Sequence, residues 1–314
     1  MTKWLKNLLA LGILSFLLWY LARHWGELKV LLKLDAKQLL VMYLLCFIPT
    51  LIFARIVQKL MNVFKIKTAF WDMVRLHNTS ILLNYVPMKF GTFFVANYLK
   101  RHYGFSYANF ATFFLYITFL MTATGAVIGL AVLVAIYRLA GYESKILAGV
   151  FVLTIISSLF LLFVPLPVPK GQGWLSTTLR EFLSGRREMS KEGKEIFVTT
   201  VFLVINFLLT ALRIGIIYHS MGRDVHPAGY LVLGALGFVV LFVGLTPGSL
   251  GIRELALGLG ATVVGMPLEV GVLAAMIDRA IIISYIFIAG SICTIWLWRK
   301  SPVDFSKQQG GPSA

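Results

Sequence analysis

The sequence predicts an all-α fold: a polytopic transmembrane helical bundle with about six full spans and two oppositely oriented re-entrant hairpins in an inverted repeat. Composition, recurring apolar runs and loop charges lead to this prediction. Of the 314 residues, 59% are hydrophobic and 13% are charged, and the mean hydropathy is +0.84. Ordinary soluble domains carry about 25% charged residues. We therefore exclude a water-soluble core.

Seven apolar runs reach about 18 residues or more, the length that a helix needs to cross a bilayer, and we predict six of them as full spans; the seventh, 229–246, belongs to a hairpin described below. We predict one transmembrane domain, 1–300, followed by a polar, disordered cytoplasmic tail, 301–314. The first run follows Lys3 and Lys6 as a signal peptide would, but it lacks a small-residue cleavage site, so we expect a retained helix. The predicted spans are 5–22, 39–57, 106–137, 146–166, 196–219 and 268–298.

The formal net charge of +16 is distributed over short loops between the apolar runs. A nucleic-acid-binding protein would instead need a separate basic domain, so we expect no nucleic acid among the partners. Lys and Arg in short loops mark the cytoplasmic side. This rule places the N- and C-termini in the cytoplasm, with four basic segments on that side: 167–195, 59–72, 100–102 and 299–307.

Two further apolar stretches must enter and leave the membrane on one side to agree with these loops. The stretch 73–98 lies between two predicted cytoplasmic segments, and 229–265 must open towards the opposite face. Irregular backbone at membrane depth is tolerated where it lines a cavity or is buried in protein. We therefore predict re-entrant hairpins, with tips at the turn residues Pro87 and Gly91 and at Pro247, Gly248 and Gly251.

The two predicted tips share a Pro-x-x-x-Gly pattern, and a glycine follows each at a similar distance, Gly104 and Gly265. Matched order, spacing and opposite orientation indicate repeat halves over 5–137 and 146–298. Inverted repeats with broken helices are typical of transporters, in which a central site opens alternately to each side.

Each tip offers ionisable or polar side chains at membrane depth, where such groups usually serve a function. At the second tip, Arg253 and Glu254 are candidate headgroup ligands, or they satisfy each other across a capped turn. At the first tip, Lys89 and Asn84 are candidates, and Lys89 suits a phosphate as a point charge. Alternatively, Lys89 reaches the headgroup region of the bilayer.

Three of the ionisable residues within predicted spans are candidates for the site. Asp278 and Arg279 either form an internal salt bridge, or Arg279 binds phosphate and Asp278 orients it. Arg213 either lines the same cavity, together with Asn206, or extends to the outer interface, which we favour. His77 in the first hairpin is expected to be a packing residue. We find no catalytic, metal-binding or cofactor motif and predict no catalytic residue, metal or cofactor.

The segments around the two tips resemble the lysylphosphatidylglycerol synthase transmembrane region family, also called the flippase-like domain family. The resemblance rests on 84–91 with Tyr98-Leu99-Lys100-Arg101, and on 244–254 with Gly265 and Asp278-Arg279. It implies a multi-pass protein of the bacterial or archaeal cytoplasmic (inner) membrane that moves, or helps to move, a lipid or lipid-linked headgroup. We expect this protein to lack the soluble aminoacyltransferase domain of the family's aminoacyl-phosphatidylglycerol members, and Thr92 stands where many relatives carry Glu.

Our leading hypothesis is translocation of an anionic membrane lipid between leaflets, with the headgroup held between the tips by Lys89, Arg253 and Arg279. One rival is a membrane-embedded transferase, or a scaffold partner of a lipid-modifying enzyme or glycosyltransferase. It needs a nucleophile or a general base, for which Glu254, Asp278 and His77 are the candidates. A transporter of small solutes is a third possibility.

Overall fold

A computed structural model describes most of the chain, and its described residues form ten α-helices and no strand. Five helices are long and apolar enough to cross a membrane. They are α1 (Ala36–Val63), α4 (Tyr107–Ala140), α5 (Lys145–Phe163), α7 (Gly193–Ser220) and α10 (Leu268–Lys300). The described residues are 35–85, 90–140, 144–163, 173–240 and 251–300.

Five of the six predicted spans are thus confirmed as helices of sufficient length and hydropathy. Each coincides with a long helix, and its ends differ from the prediction by a few residues. The sixth, 5–22, lies outside the described residues, as do the tail 301–314 and the tip residues Lys89, Pro87, Pro247 and Gly248. The division of the chain into two halves stays a prediction.

Two pairs of short helices occupy the places where the sequence predicted hairpins. The first pair is α2 (Phe70–Leu83) and α3 (Phe90–Tyr103), and the second is α8 (Pro227–Val240) and α9 (Ile252–Val263). Members of each pair pack against each other. At 1.5 Å per residue each helix is about 18 to 21 Å long, well short of the ~30 Å hydrocarbon core. Their re-entry into a membrane stays a prediction.

The two pairs pack reciprocally. Helix α2 lies against α10, the last helix of the second predicted half, and α8 lies against α4, the last helix of the first. Helix α2 also packs on α1, as α8 packs on α7. Small residues allow the close approach: a Cβ on Gly290 would come within 2.8 Å of Leu82, and one on Gly125 within 2.7 Å of Phe238.

Several of the basic segments meet at one end of the bundle. Lys59 at the end of α1 pairs with Glu195 at the start of α7, with 3.5 Å between Nζ and Oε1. The Arg75 guanidinium lies 3.4 Å from the ring centre of Trp296, near the end of α10. Helix α2 begins at this end, whereas α8 follows the far end of α7. The two short pairs therefore start at opposite ends of the bundle.

The segment 167–195, a connecting loop in the sequence-based topology, contains a further helix at this end of the bundle, α6 (Trp174–Lys191). Leu183 and Met189 are buried on its inner face. The Arg186 side chain donates to the carbonyl of Leu161 at the end of α5 (3.0 Å). The many basic residues of this segment obscured an amphipathic pattern, which lays α6 across the ends of its neighbours.

Candidate functional site

The second helix break is built around Gly251 and Glu254. Gly251 has φ +81°, a left-handed conformation that glycine adopts without the strain of a Cβ atom. Its N–H donates to Oε2 of Glu254 at 2.8 Å, which satisfies one of the free backbone donors at the start of α9. The carboxylate therefore fixes the turn as well as contributing charge.

Four charged residues from α9 and α10 pair crosswise. Nη2 of Arg253 lies 2.5 Å from Oδ2 of Asp278, and Arg279 forms an ion pair with Glu254. Arg253–Glu254 and Asp278–Arg279 are sequence neighbours, and neighbours on a helix do not face each other. The sequence-based alternatives, an Arg253–Glu254 pair and an Asp278–Arg279 pair, are thus replaced by ion pairs between α9 and α10.

Arg213 of α7 completes the cluster, and its location corrects the sequence-based preference for the outer interface. It is 6% exposed, and its Nε donates to Oδ1 of Asp278 at 2.6 Å. Its Nη1 also reaches the carbonyl of Leu45 on α1 at 3.4 Å. Asp278 attracts the guanidinium inwards because a buried carboxylate needs ionic and hydrogen-bonding partners. Four helices, α1, α7, α9 and α10, therefore converge here.

We call Arg213, Arg253, Glu254, Asp278 and Arg279 the charged cluster. Three guanidinium groups share two carboxylates, so with every group in its ordinary ionised form the cluster keeps one net positive charge. Arg253 has the most exposed side chain of the three arginines, at 14% against 7% for Arg213 and 5% for Arg279. It is therefore the arginine that an incoming anion reaches most readily.

The first tip reaches the charged cluster through Tyr85. This residue follows α2, is buried, and lies close enough to Arg279, Arg253 and Asp278 for their charges to act on its hydroxyl. Its ring centre lies 6.2 Å from that of Phe287 on α10. The residue that opens the first tip thus lies near the charges of the second break, and a site between the two tips stays a prediction.

Asn84 and Gly91 hold the first pair of helices together. Oδ1 of Asn84 accepts hydrogen bonds from the backbone N–H of Thr92 at 3.0 Å and from its hydroxyl at 3.3 Å. A Cβ on Gly91 would lie 1.9 Å from the carbonyl oxygen of Ser80. Glycine is therefore required here by the close approach of the two backbones.

Sequence reasoning missed a cavity of about 630 Å³ in the first predicted half, which we call the cavity of the first half. Residues of α1, α2, α3 and α4 line it, most of them aromatic or aliphatic. His77 lies in its wall with its ring stacked on Phe53, 4.2 Å between ring centres. The only signal in the sequence was the spacing of His77, Ser80 and Asn84, which places all three on one helical face.

Within the described parts of the chain, no three His, Cys, Asp or Glu side chains are grouped so that they could hold a metal ion. The described residues offer two kinds of chemistry: a buried charged cluster with an excess of guanidinium groups, and a separate cavity whose walls are largely apolar.

Comparisons with known proteins agree with the resemblance seen in the sequence. A sequence profile for the family described as "Lysylphosphatidylglycerol synthase TM region" matches residues 7–290. Comparison with curated proteins and with solved structures gave no significant match. The match covers nearly the whole chain, including both pairs of short helices and the charged cluster, so the protein belongs to the lysylphosphatidylglycerol synthase transmembrane region family.

Proposed function

We propose that this protein translocates an anionic lipid, or the headgroup of a lipid-linked anion, between the leaflets of the cytoplasmic membrane. The observation that carries the proposal is the charged cluster, which keeps one net positive charge beside two helix breaks. Buried charge at membrane depth is costly and usually marks a substrate path. Membership in the family supports a lipid-related role.

Arg253 of the charged cluster can leave Asp278 and bind a phosphate instead. Arg253 shares Asp278 with Arg213, so Asp278 keeps one arginine when Arg253 turns to a ligand. A guanidinium binds phosphate through paired hydrogen bonds, as it binds carboxylate. The N-terminus of α9 begins one residue before Arg253 and adds a second anion-binding feature. Arg279, and Lys89 from the first tip, would complete the headgroup site.

Reciprocal packing supports the mechanism of alternating access. Each pair of short helices packs against the long helix that ends the other predicted half, and the pairs start at opposite ends of the bundle. In an inverted repeat, exchanging the conformations of the two halves moves the opening from one side to the other. A headgroup held between the tips would then cross while its acyl chains stay in the surrounding lipid.

A leaflet-specific assay tests the proposal. The purified protein is reconstituted into vesicles that contain fluorescent anionic lipids, and a membrane-impermeant quencher reports the fraction in the outer leaflet. We expect faster equilibration than in protein-free vesicles, and a roughly tenfold or greater slowing in Arg253→Ala, the size expected for a lost charged hydrogen bond.

Arg55→Ala is the matched control, because Arg55 is an exposed arginine whose contacts, Gln58 and the ring of Phe70, lie outside the charged cluster. It should flip lipid at the wild-type rate. Protein-free rates across a panel of anionic lipids, or equal rates in Arg253→Ala and the wild type, would contradict the proposal.

The rival, a membrane-embedded transferase, has less support from the same geometry. Two of its candidate groups, Glu254 and Asp278, are engaged by arginines. The third, His77, faces the separate cavity of the first half. A scaffold role beside a lipid-modifying enzyme or glycosyltransferase needs none of these groups. Lipid translocation in vesicles that contain only this protein would distinguish a translocator from a scaffold.

A further inference from the structure

The cavity of the first half carries a line of polar groups along one wall. His77, Ser80 and Asn84 follow one another at intervals of three and four residues, so they occupy the same face of α2 and its C-terminal end. The remainder of the wall is largely phenylalanine, leucine, isoleucine and methionine. We call these three side chains the polar line.

The polar line has hydrogen-bonding capacity that the described protein leaves unused. The His77 ring contacts Phe53 by stacking, and neither of its nitrogens has a hydrogen-bond partner among the described residues. The same holds for the hydroxyl of Ser80. Asn84 uses its carbonyl oxygen for Thr92, while its amide nitrogen has two N–H groups to offer. Leaving such groups without partners in an apolar site costs free energy, which a ligand or water recovers.

The lining indicates the charge of the ligand. No charged side chain is among the described residues that line the cavity. A charged group there would lose its hydration without gaining a counter-ion. Hydroxyl groups, in contrast, both donate and accept hydrogen bonds, as the amide, imidazole and hydroxyl of the polar line require.

The cavity also opens where a lipid can enter. Phe114 and Leu115 of α4 belong to its lining and remain 39% and 38% exposed, on a helix apolar enough to face a membrane interior. Its volume of about 630 Å³ lies in the range of ordinary ligand pockets. Asn84 in its lining directly precedes Tyr85, which lies close enough to the charged cluster for those charges to act on its hydroxyl.

We propose that the polar line binds the uncharged, hydroxyl-bearing part of a lipid headgroup, such as a glycerol or hexose unit. This inference rests on the proposed function and names the substrate class: a lipid whose phosphate meets the charged cluster while its hydroxylated unit occupies the cavity of the first half. The two sites divide the recognition of one headgroup between charge and hydrogen bonding.

Native mass spectrometry of the full chain tests the inference by binding alone. The protein is purified in an oxyethylene detergent, which carries no sugar, and titrated with monoglucosyl diacylglycerol or with diacylglycerol of the same acyl chains. We expect the glucosyl lipid to bind more tightly. Ser80→Ala and His77→Phe, which keeps the ring stacked on Phe53, should each weaken its binding roughly two- to tenfold, the value of one or two hydrogen bonds.

Thr118→Val is the matched control in the same cavity. Its hydroxyl already donates to the carbonyl of Phe114 at 2.7 Å, so its loss should not affect the glucosyl lipid. Free glucose as a competitor separates a dissolved sugar from a lipid-borne one, and we expect it to displace nothing at millimolar concentration. Displacement by free glucose would overturn the assignment to lipid.

Equal binding of the two lipids would mean that acyl chains alone fill the cavity, and no binding of either would mean that water fills it. Either result overturns the inference. Because the assay needs no transport, its failure leaves lipid translocation standing. Selective binding without translocation in vesicles would instead contradict the proposed function.

Discussion

The two pairs of short helices have nearly equal lengths and reciprocal packing, yet their breaks are surrounded by different chemistry. At the second break, five ionised side chains from three helices lie together around Asp278. At the first, Asn84 joins the two helices through a neutral hydrogen bond to Thr92, and the adjoining cavity has no charged lining among the described residues. Similar backbones thus present two different sites.

This difference shows how a repeated architecture can serve an asymmetric ligand. A lipid headgroup combines a charged phosphate with uncharged polar groups. The phosphate needs opposite charge and the polar groups need hydrogen bonds to offset the free energy of desolvation, so one kind of site does not suit both. Tyr85 connects the two environments, because it belongs to the first break and lies close enough to the second for the charges there to act on its hydroxyl. The substitutions below test the difference in order of expected effect.

The largest effect is expected from Asp278→Asn. The substitution leaves Arg213 and Arg253 without their shared carboxylate, and an unpaired buried charge costs about 3 to 5 kcal/mol. The free energy of unfolding, measured by titration with a denaturing detergent, should fall by that amount. Asp224→Asn is the control, since its side chain is fully exposed and it should unfold like the wild type. Wild-type stability of Asp278→Asn would contradict the pairing.

A smaller, graded effect is expected at the glycines. Gly91→Ala places a Cβ against the Ser80 carbonyl and should cost about 1 to 3 kcal/mol as the two helices move apart. Gly251→Ala meets no atom within 4 Å but keeps φ +81°, so it should cost about 1 to 2 kcal/mol.

Gly149→Ala in α5 also meets open space and has a helical backbone, so it should be neutral or slightly stabilising. Thermal unfolding of the three variants side by side gives the order. A Gly91→Ala variant as stable as Gly149→Ala would rule out the close contact between α2 and α3.

The smallest effect is expected at the basic end of the bundle. Lys59 pairs with Glu195 across 3.5 Å, and its side chain is 36% exposed. Exposed pairs contribute roughly 0.2 to 1 kcal/mol, and salt screens them. Lys59→Met should therefore lower the unfolding temperature slightly at low salt and leave it unchanged at high salt. If Lys59→Met lowered the stability as much as Asp278→Asn, the Lys59–Glu195 pair would be as important as the buried pairs of Asp278, which would contradict this expectation.

Much of the fold was readable from the sequence because apolar length and loop charge are local signals. Five spans and the positions of both helix breaks follow from them. Arg253, Glu254, Asp278 and Arg279 were also identifiable, since a charge within an apolar run is conspicuous. The ion pairs between these residues and with Arg213 could not be predicted. They link residues 25 and 65 positions apart, on helices whose rotation is set by packing.

The cavity of the first half escaped prediction for a different reason. His77, Ser80 and Asn84 are uncharged, and such residues in a membrane helix are as compatible with packing as with a site. Their significance depends on the neighbouring walls from α1, α3 and α4, which only the assembled bundle supplies. Arg213 was misplaced similarly, since its attraction to Asp278 requires α7 and α10 to be adjacent.

The central claim is that one headgroup is recognised by charge at the second break and by hydrogen bonding at the first. The most direct test compares the flipping of phosphatidylglycerol and phosphatidylpropanol, which share a phosphodiester and differ in the headgroup hydroxyls, by Arg253→Ala and Ser80→Ala in vesicles. We predict that Arg253→Ala slows both lipids, whereas Ser80→Ala slows phosphatidylglycerol alone. Equal slowing of both lipids by both variants, or by neither, would contradict the account.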